Sequence, residues 1–288
     1  MIVDGKKMAA EVFAQTKARA AMLPHPPRIL VIAANETAAT KSYLSLKQKR
    51  AADAGCTLDV LSFGPHTTTE ELRMAVLTTD ADAVVVQLPL GDRMDARIVC
   101  DAIPPEKDVD VLSTVARMKF EADERRRGGT EASRSECANE YDALVPPVAG
   151  ALAKILAAGG VDPAGKKAVV IGRGWLVGRP CATWLSHKKA DVSHVSFRSG
   201  DFSALKDADI IVSGAGSPHF IKPDMIQQGL VLLDAGTSES GGALAGDADP
   251  ACAEKCSLFT PVPGGVGPLA VATLFSNVVT LVERAIQS

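Results

Sequence analysis

The chain has 288 residues, 47% hydrophobic and 23% charged, an ordinary globular balance with room for two domains. A net charge of -3 gives no electrostatic reason to bind nucleic acid, and no apolar stretch reads as the ~18 residues of a membrane span. Six cysteines stand scattered at 56, 100, 137, 181, 252 and 256, with no Cys-x-x-Cys pair and no histidine cluster, so they read as reduced cytoplasmic thiols and no metal site is expected.

The opening MIVDGKKMAAEVF is amphipathic and carries acids, which fits neither a signal peptide nor a transit peptide. RILVIAA (28–34), TLDVLSF (57–63) and AVVVQLPL (83–90) are short apolar runs separated by helical periods at Lys41–Ala54 and Thr69–Thr78. Strand, helix, strand, helix predicts a parallel α/β sheet with covered faces. In KSYLSLKQKR (41–50), Tyr43 and Lys47 are four apart and share a helix face. VVVQLPL carries the polar Gln87 to the carboxyl end of a strand, where parallel sheets bind ligands. PPEKDVDVL (104–112) adds Asp108 and Asp110. A base, an amide and a carboxylate thus fall on three neighbouring loops.

EADERRRGGTEASRSECANE (121–140) is charged and lacks apolar periodicity, so it reads as an exposed loop near a domain junction. A second series follows: KAVVIG (167–172), DVSHVSF (191–197), DIIVSGAG (209–216) and LVLLDAG (230–236). Its first strand runs into Gly172-Arg173-Gly174 and then Gly178, a G-x-G-x-x-x-G turn opening a helix. Glycines let a pyrophosphate approach the backbone, and the helix offers free N–H groups to it. The next strand ends Ser196-Phe197-Arg198-Ser199, without the acid that grips an NAD ribose, and Arg173 and Arg198 suit a ribose phosphate. That favours NADP over NAD. TPVPGGVGP (260–268) is too rich in proline and glycine for a helix or a sheet ladder and reads either as a plain connector or as a bare backbone surface for a flat ligand. After Pro268 the run to the end has helical spacing.

Taken in order, VDGKKMAAEV, Tyr43-x-x-x-Lys47, VVQLPL, PPEKDVD, GRGWLVGRP, DAG (234–236) and TPVPGGVGPLAVATL make the chain resemble the bifunctional methylenetetrahydrofolate dehydrogenase/methenyltetrahydrofolate cyclohydrolase family over nearly its whole length. The resemblance implies two α/β domains with a cleft between them. One is an N-terminal folate-binding catalytic domain, 1–143, completed by a C-terminal helix, 269–288. The other is a Rossmann-type NADP-binding domain, 144–268. It implies oxidation of methylene-tetrahydrofolate to the methenyl form with NADP, and hydrolysis of that cation to formyl-tetrahydrofolate, by a cytoplasmic homodimer with no nucleic-acid or membrane partner.

By the same resemblance Lys47 is the central cyclohydrolase residue, tuned by Gln87. Tyr43 lines the folate cleft and Asp110 holds the pterin. Val86, Leu88, Pro263, Gly264, Gly265, Val266 and Gly267 complete the substrate surface. Gly172, Arg173, Gly174, Val177, Gly178 and Arg198 hold the cofactor with Ala215, Gly216, Gly236 and Thr237. The chain departs from the family pattern at Gly174, at VPPV (145–148), at Gly91, at Val111 where KDVD is usually followed by glycine, at Ser238 and at Ala270. Alternatives on the same residues are a monofunctional dehydrogenase or cyclohydrolase, a shikimate-type dehydrogenase, and a non-catalytic folate- or NADP-binding protein.

Overall fold

The structure, a computed structural model, describes residues 1–34, 38–127, 144–240 and 243–287. The chain folds into two units, each around its own parallel sheet: Ala10–Val145 with Val271–Ser288, and Met1–Ala9 with Pro146–Ala270.

The first unit carries a three-stranded sheet in the order β2-β1-β3, with β1 (Arg28–Ala33) flanked by β2 (Thr57–Ser62) and β3 (Ala83–Gln87). Ile29 aligns with Leu58 on one side and Ala83 on the other, all parallel. The middle strand is buried at Ile29 and from Val31 to Ala33, and β3 until Gln87, whereas no residue of β2 is fully buried, as befits an edge. Helix α1 (Gly5–Ala20) precedes the sheet, and α2 (Ala38–Ala51) and α3 (Thr69–Thr78) link its strands. The start of α3 is fixed by a capping box, in which the Glu71 N–H donates to the Thr68 hydroxyl and the Thr68 N–H donates to the Glu71 carboxylate. Helix α4 (Ala96–Asp101) is capped by the Asp95 carboxylate.

Helix α5 spans Thr114–Arg127, so residues 121–127 continue a helix where the sequence reading placed a loop. Arg, Glu and Ala are good helix formers, and the absence of an apolar stripe did not outweigh that propensity. Residues 128–140 of the expected loop lie outside the described residues.

The second unit holds five parallel strands in the order β10-β7-β6-β4-β5: β4 (Lys167–Ile171), β5 (Asp191–Val195), β6 (Ile210–Ser213), β7 (Leu230–Asp234) and β10 (Cys256–Phe259). Strands β8 (Ser238–Ser240) and β9 (Ala243–Ala245) pair separately as an antiparallel ribbon. Helix α6 (Pro147–Ala158) precedes β4, and α7 (Gly178–His187) follows it. The chain passes from β4 to β5 on one side, then crosses back to β6 on the other, which makes the carboxyl ends of β4 and β6 a topological switch point. The first residues of the chain extend this sheet. The Val3 N–H donates to the Phe259 carbonyl and the Phe259 N–H to that of Met1. That edge pairing is why residues 1–9 group here and not, as the sequence reading had it, with the residues that follow them.

The last helix, α8 (Val266–Gln287), begins three residues before the point expected from the sequence. Pro268 falls in its first turn, where a missing N–H costs nothing. At 22 residues with a mean hydropathy of 1.5 over its best window, α8 is long and apolar enough to cross a membrane, which the sequence reading had not granted; 67% of that window is buried in the structure. Phe275 is fully buried and packs on Phe13 with ring centroids 5.9 Å apart. The Asn277 amide, also buried, donates to the carbonyls of Val109 (2.9 Å) and Val145 (3.0 Å). Replacing Phe275 by alanine should cost about 3–5 kcal/mol, the usual loss for a buried aromatic ring, read as a lowered urea midpoint.

Candidate active site

In the three-stranded unit the site is assembled from one helix, one strand end and one loop. Helix α2 brings up Lys47, whose Nζ donates to Gln87 Oε1 at 3.0 Å. Gln87 is the last residue of β3, and its own Nε2 donates to the Leu88 carbonyl at 3.0 Å, which turns the amide oxygen toward the lysine. Lys47, Gln87 and Asp110 are all half-buried, between the core and solvent. Burial pushes the Lys47 ammonium below its ordinary value, against the opposing charge of Asp110. Burial pushes the Asp110 carboxyl up, against Lys47 and with the repulsion of Asp108 added. Both groups shift toward neutrality, so desolvation outweighs their attraction. A neutral lysine still gives Gln87 an N–H and keeps a lone pair free to take a proton.

The loop presenting Asp110 is held from inside. Asp108 is 1% exposed, and its carboxylate accepts from the N–H groups of Leu112 (3.1 Å) and Ser113 (2.8 Å). The Val84 N–H donates to the Lys107 carbonyl at 2.9 Å, which ties the loop to β3. This wrapping forces Val111 to φ 58°, a left-handed conformation that a β-branched residue rarely takes. The glycine usual at this position in the family would meet that demand without strain; here the valine side chain is buried, 3% exposed, and its burial offsets the strain.

Of the other expected substrate residues, Leu88 is half-buried beside this site. Val86 is 2% exposed and packs within the sheet, so its side chain faces the core. The backbone of Tyr43 lies in α2, but its side chain is outside the described residues.

The segment 260–268 belongs to the five-stranded unit and is only partly a bare surface. Gly265 is buried, and a Cβ there would come within 2.6 Å of the Pro261 carbonyl and 2.8 Å of the Thr260 side chain, so its bareness serves the loop's own packing. Val266 is buried and opens α8 together with Gly267. Gly264, at φ 108°, Gly267 and the exposed Pro263 are the positions that face open space.

At the carboxyl ends of β4, β6 and β7 the remaining expected residues come together. Gly172 takes φ 98°, and its N–H donates to the Val195 carbonyl. A side chain at Gly178 would overlap the Gly172 carbonyl, which is why the turn and the helix start can sit in contact. The Val177 side chain fills the space that a Cβ on Gly214 would need. Val177 is the N-cap of α7 and has no side-chain acceptor; the Arg179 N–H is met instead by the Gly174 carbonyl at 3.1 Å, and Pro180 has no N–H to offer. Arg173 and Gly174 are exposed on this turn, and the Arg179 side chain donates to the Arg173 carbonyl at 3.1 Å. Burial and the charge of Arg173 hold the His194 imidazolium below its usual range. Arg198 is exposed just beyond that strand. Ala215 and Gly216 follow β6, Gly236 and Thr237 follow β7, and Thr237 is exposed. The hydroxyl of Ser238, which opens β8 directly after Thr237, is shut off from solvent and has no partner among the described residues. A glycine turn opening a helix, two exposed guanidinium groups and a buried hydroxyl without a partner among the described residues fit a phosphorylated dinucleotide.

Sequence reasoning missed Asp247, which accepts three hydrogen bonds in this region, and Asn277, which holds the Asp110 loop at Val109. Asn277 had a signal, a lone amide inside an apolar helical run. Asp247 lies in GDADP, which reads only as a turn.

A five-stranded parallel sheet with a glycine turn at its switch point, joined in one chain to a half-buried lysine–amide–carboxylate cluster, defines a two-domain α/β enzyme with a dinucleotide-binding domain. The sequence model of the tetrahydrofolate dehydrogenase/cyclohydrolase catalytic domain matches residues 3–110, and that of the same family's NAD(P)-binding domain matches 146–286. The chain belongs to this family. It is 36% identical over 292 residues to the bifunctional protein FolD of Lacticaseibacillus casei, covering 98% of this chain and 97% of that one. It is similar in structure to the bifunctional methylenetetrahydrofolate dehydrogenase/cyclohydrolase of Campylobacter jejuni, with a TM-score of 0.87, 28% identity and 99% of each chain covered. The enzyme of Trypanosoma brucei, solved with NADP and an inhibitor, gives a TM-score of 0.87 at 28% identity, with 100% of this chain and 99% of that one covered.

The left-handed Val111 yields a measurable contrast. Val109 and Val111 are both buried, and each loses about 1.5–3 kcal/mol of side-chain burial on replacement by glycine. Only Val111→Gly also relieves about 1–3 kcal/mol of backbone strain. Val109→Gly should therefore lower unfolding stability clearly more than Val111→Gly does; equal losses in urea titrations would remove the strain argument.

Proposed function

We propose that this chain oxidises methylene-tetrahydrofolate to methenyl-tetrahydrofolate with NADP and hydrolyses that cation to formyl-tetrahydrofolate. The observation that carries the hydrolytic half is the hydrogen bond from Lys47 to Gln87 beside Asp110, with the lysine held below its ordinary pKa. Water bonds through its oxygen to the amidinium carbon and gives one proton to the neutral Lys47. As the carbon–nitrogen bond opens, the ring nitrogen takes a proton and the added hydroxyl loses its own, leaving a formyl group and one net proton. Gln87 keeps the amine aimed through both protonation states. Asp110 is placed to accept from the amino and ring N–H groups of a pterin, and the Asp108 clamp fixes its direction.

When bound, NADP supplies the hydride acceptor. Gly172, Gly174 and the start of α7 would hold its pyrophosphate, with Val177, Gly178, Ala215, Gly216, Gly236 and Thr237 around it. Arg173 and Arg198 would meet the ribose phosphate, since no acid stands at the end of β5. For hydride transfer the protein's part is orientation, because the product is already a resonance-stabilised cation. Family membership is the support for a cytoplasmic homodimer acting on a folate.

Lys47→Met should abolish hydrolysis of methenyl-tetrahydrofolate, a loss on the order of 10²–10⁴-fold, followed as persistence of the methenyl absorbance, while NADP still binds. In the native enzyme the hydrolytic rate should rise with pH through an apparent pKa below the ordinary lysine value, because only neutral Lys47 takes the proton. A folded Lys47→Met enzyme with the normal rate would end this assignment.

Arg173→Ala should raise the KM for NADP by about ten- to a hundredfold and leave NAD activity nearly unchanged, the cost of losing a charged hydrogen bond to phosphate. Equal losses with both cofactors would instead mark a damaged loop.

A further inference from the structure

We propose that Asp247 is a positioning residue for dinucleotide binding, holding the loop after β6 in the shape the cofactor meets. The inference rests on the NADP reading above. Asp247 is fully buried. Its Oδ2 accepts from the Ser213 hydroxyl (2.6 Å) and the Ala215 N–H (2.7 Å), and its Oδ1 accepts from the Ser217 N–H (2.8 Å). Among the described residues it forms no ion pair, so the buried charge is met by these donors, all from one turn.

That turn lies at the switch point. The Gly214 N–H donates to the Ile171 carbonyl at 3.2 Å, and a Cβ on Gly172 would come within 3.2 Å of the Gly214 carbonyl. The loop after β6 therefore abuts the phosphate turn, and a small shift in one is felt in the other. The same carboxylate backs the loop after β7, because any side chain on Gly236 would overlap it. Asp234 completes the arrangement from the opposite direction. It accepts from the Gly236 N–H (2.9 Å) and from the N–H of Ala248, next to Asp247 (2.8 Å). Asp234 thus holds the segment that carries Asp247, Asp247 holds the loop after β6, and the loops they hold or back carry Ala215, Gly216, Gly236 and Thr237. Capping the end of β6 alone would need one acceptor. Three donors gathered from Ser213 to Ser217 fix the course of the whole turn up to Gly216, which is exposed at φ 69°.

The test compares Asp247→Asn and Ser213→Ala with the native enzyme. Asparagine keeps the shape but turns an NH2 group toward backbone donors. Ser213→Ala removes one of the three donors and leaves both N–H bonds in place. Calorimetry with NADP in the absence of folate should show the dissociation constant raised at least tenfold in Asp247→Asn and about threefold in Ser213→Ala. In dehydrogenase assays KM for NADP should rise while kcat at saturation stays within a few-fold, because bound cofactor draws the loop back into place. Far-ultraviolet circular dichroism establishes that each variant is folded; if Asp247→Asn is not, Ser213→Ala decides alone. A folded variant binding NADP within 1.5-fold of the native enzyme overturns the inference. A native enzyme that binds no NADP overturns the cofactor reading and, with it, the inference.

Discussion

A carboxylate sealed inside a protein, with no cation to pair with, must find its hydrogen bonds in the backbone, and whatever backbone supplies them is fixed in place. Asp108, Asp234 and Asp247 are each at most 1% exposed, and all three take bonds from loop N–H groups at or near the carboxyl ends of parallel strands. Burial and the neighbouring Asp247 raise the Asp234 carboxyl to about 6, against its hydrogen bonds, a sign of how far the interior disfavours its charge. Loops are otherwise the most mobile parts of a fold. Here the loops presenting Asp110, Ala215 and Gly236 are each organised around a buried carboxyl group.

The two units treat charge in opposite ways. In the three-stranded unit burial drives Lys47 and Asp110 toward neutrality, which suits moving a proton. In the five-stranded unit Arg173 and Arg198 stay exposed, and guanidinium groups remain charged at any working pH, which suits holding a phosphate. One kind of site needs a labile proton and the other must not have one.

Much of this was legible in the sequence because the signals were local. The strand–helix alternation, Gln87 at the end of an apolar run and Gly172 to Gly178 before a helix each depend on a few adjacent residues. What escaped depends on residues distant in the chain. Asp247 acts on residues some thirty positions earlier, and Met1–Ala9 join a sheet edge formed near residue 259. The packing demand on Gly265 was hidden for a related reason. A glycine that avoids its own chain and one that makes room for a ligand look identical until the neighbouring Pro261 carbonyl is seen. At 121–127 the error was local, with helix propensity prevailing over the lack of an apolar stripe.

The three-stranded unit is interrupted in the chain, since Val145 and Val271 are separated by residues 146–270 of the five-stranded unit. Its core includes Phe275 and Val278 from the last helix. During synthesis the chain emerges from the N-terminus, and domains fold as units once complete. Residues 146–270 are therefore all available while the earlier unit still lacks a side of its core. The three-stranded unit is thus completed last, and its apolar face waits for the final helix.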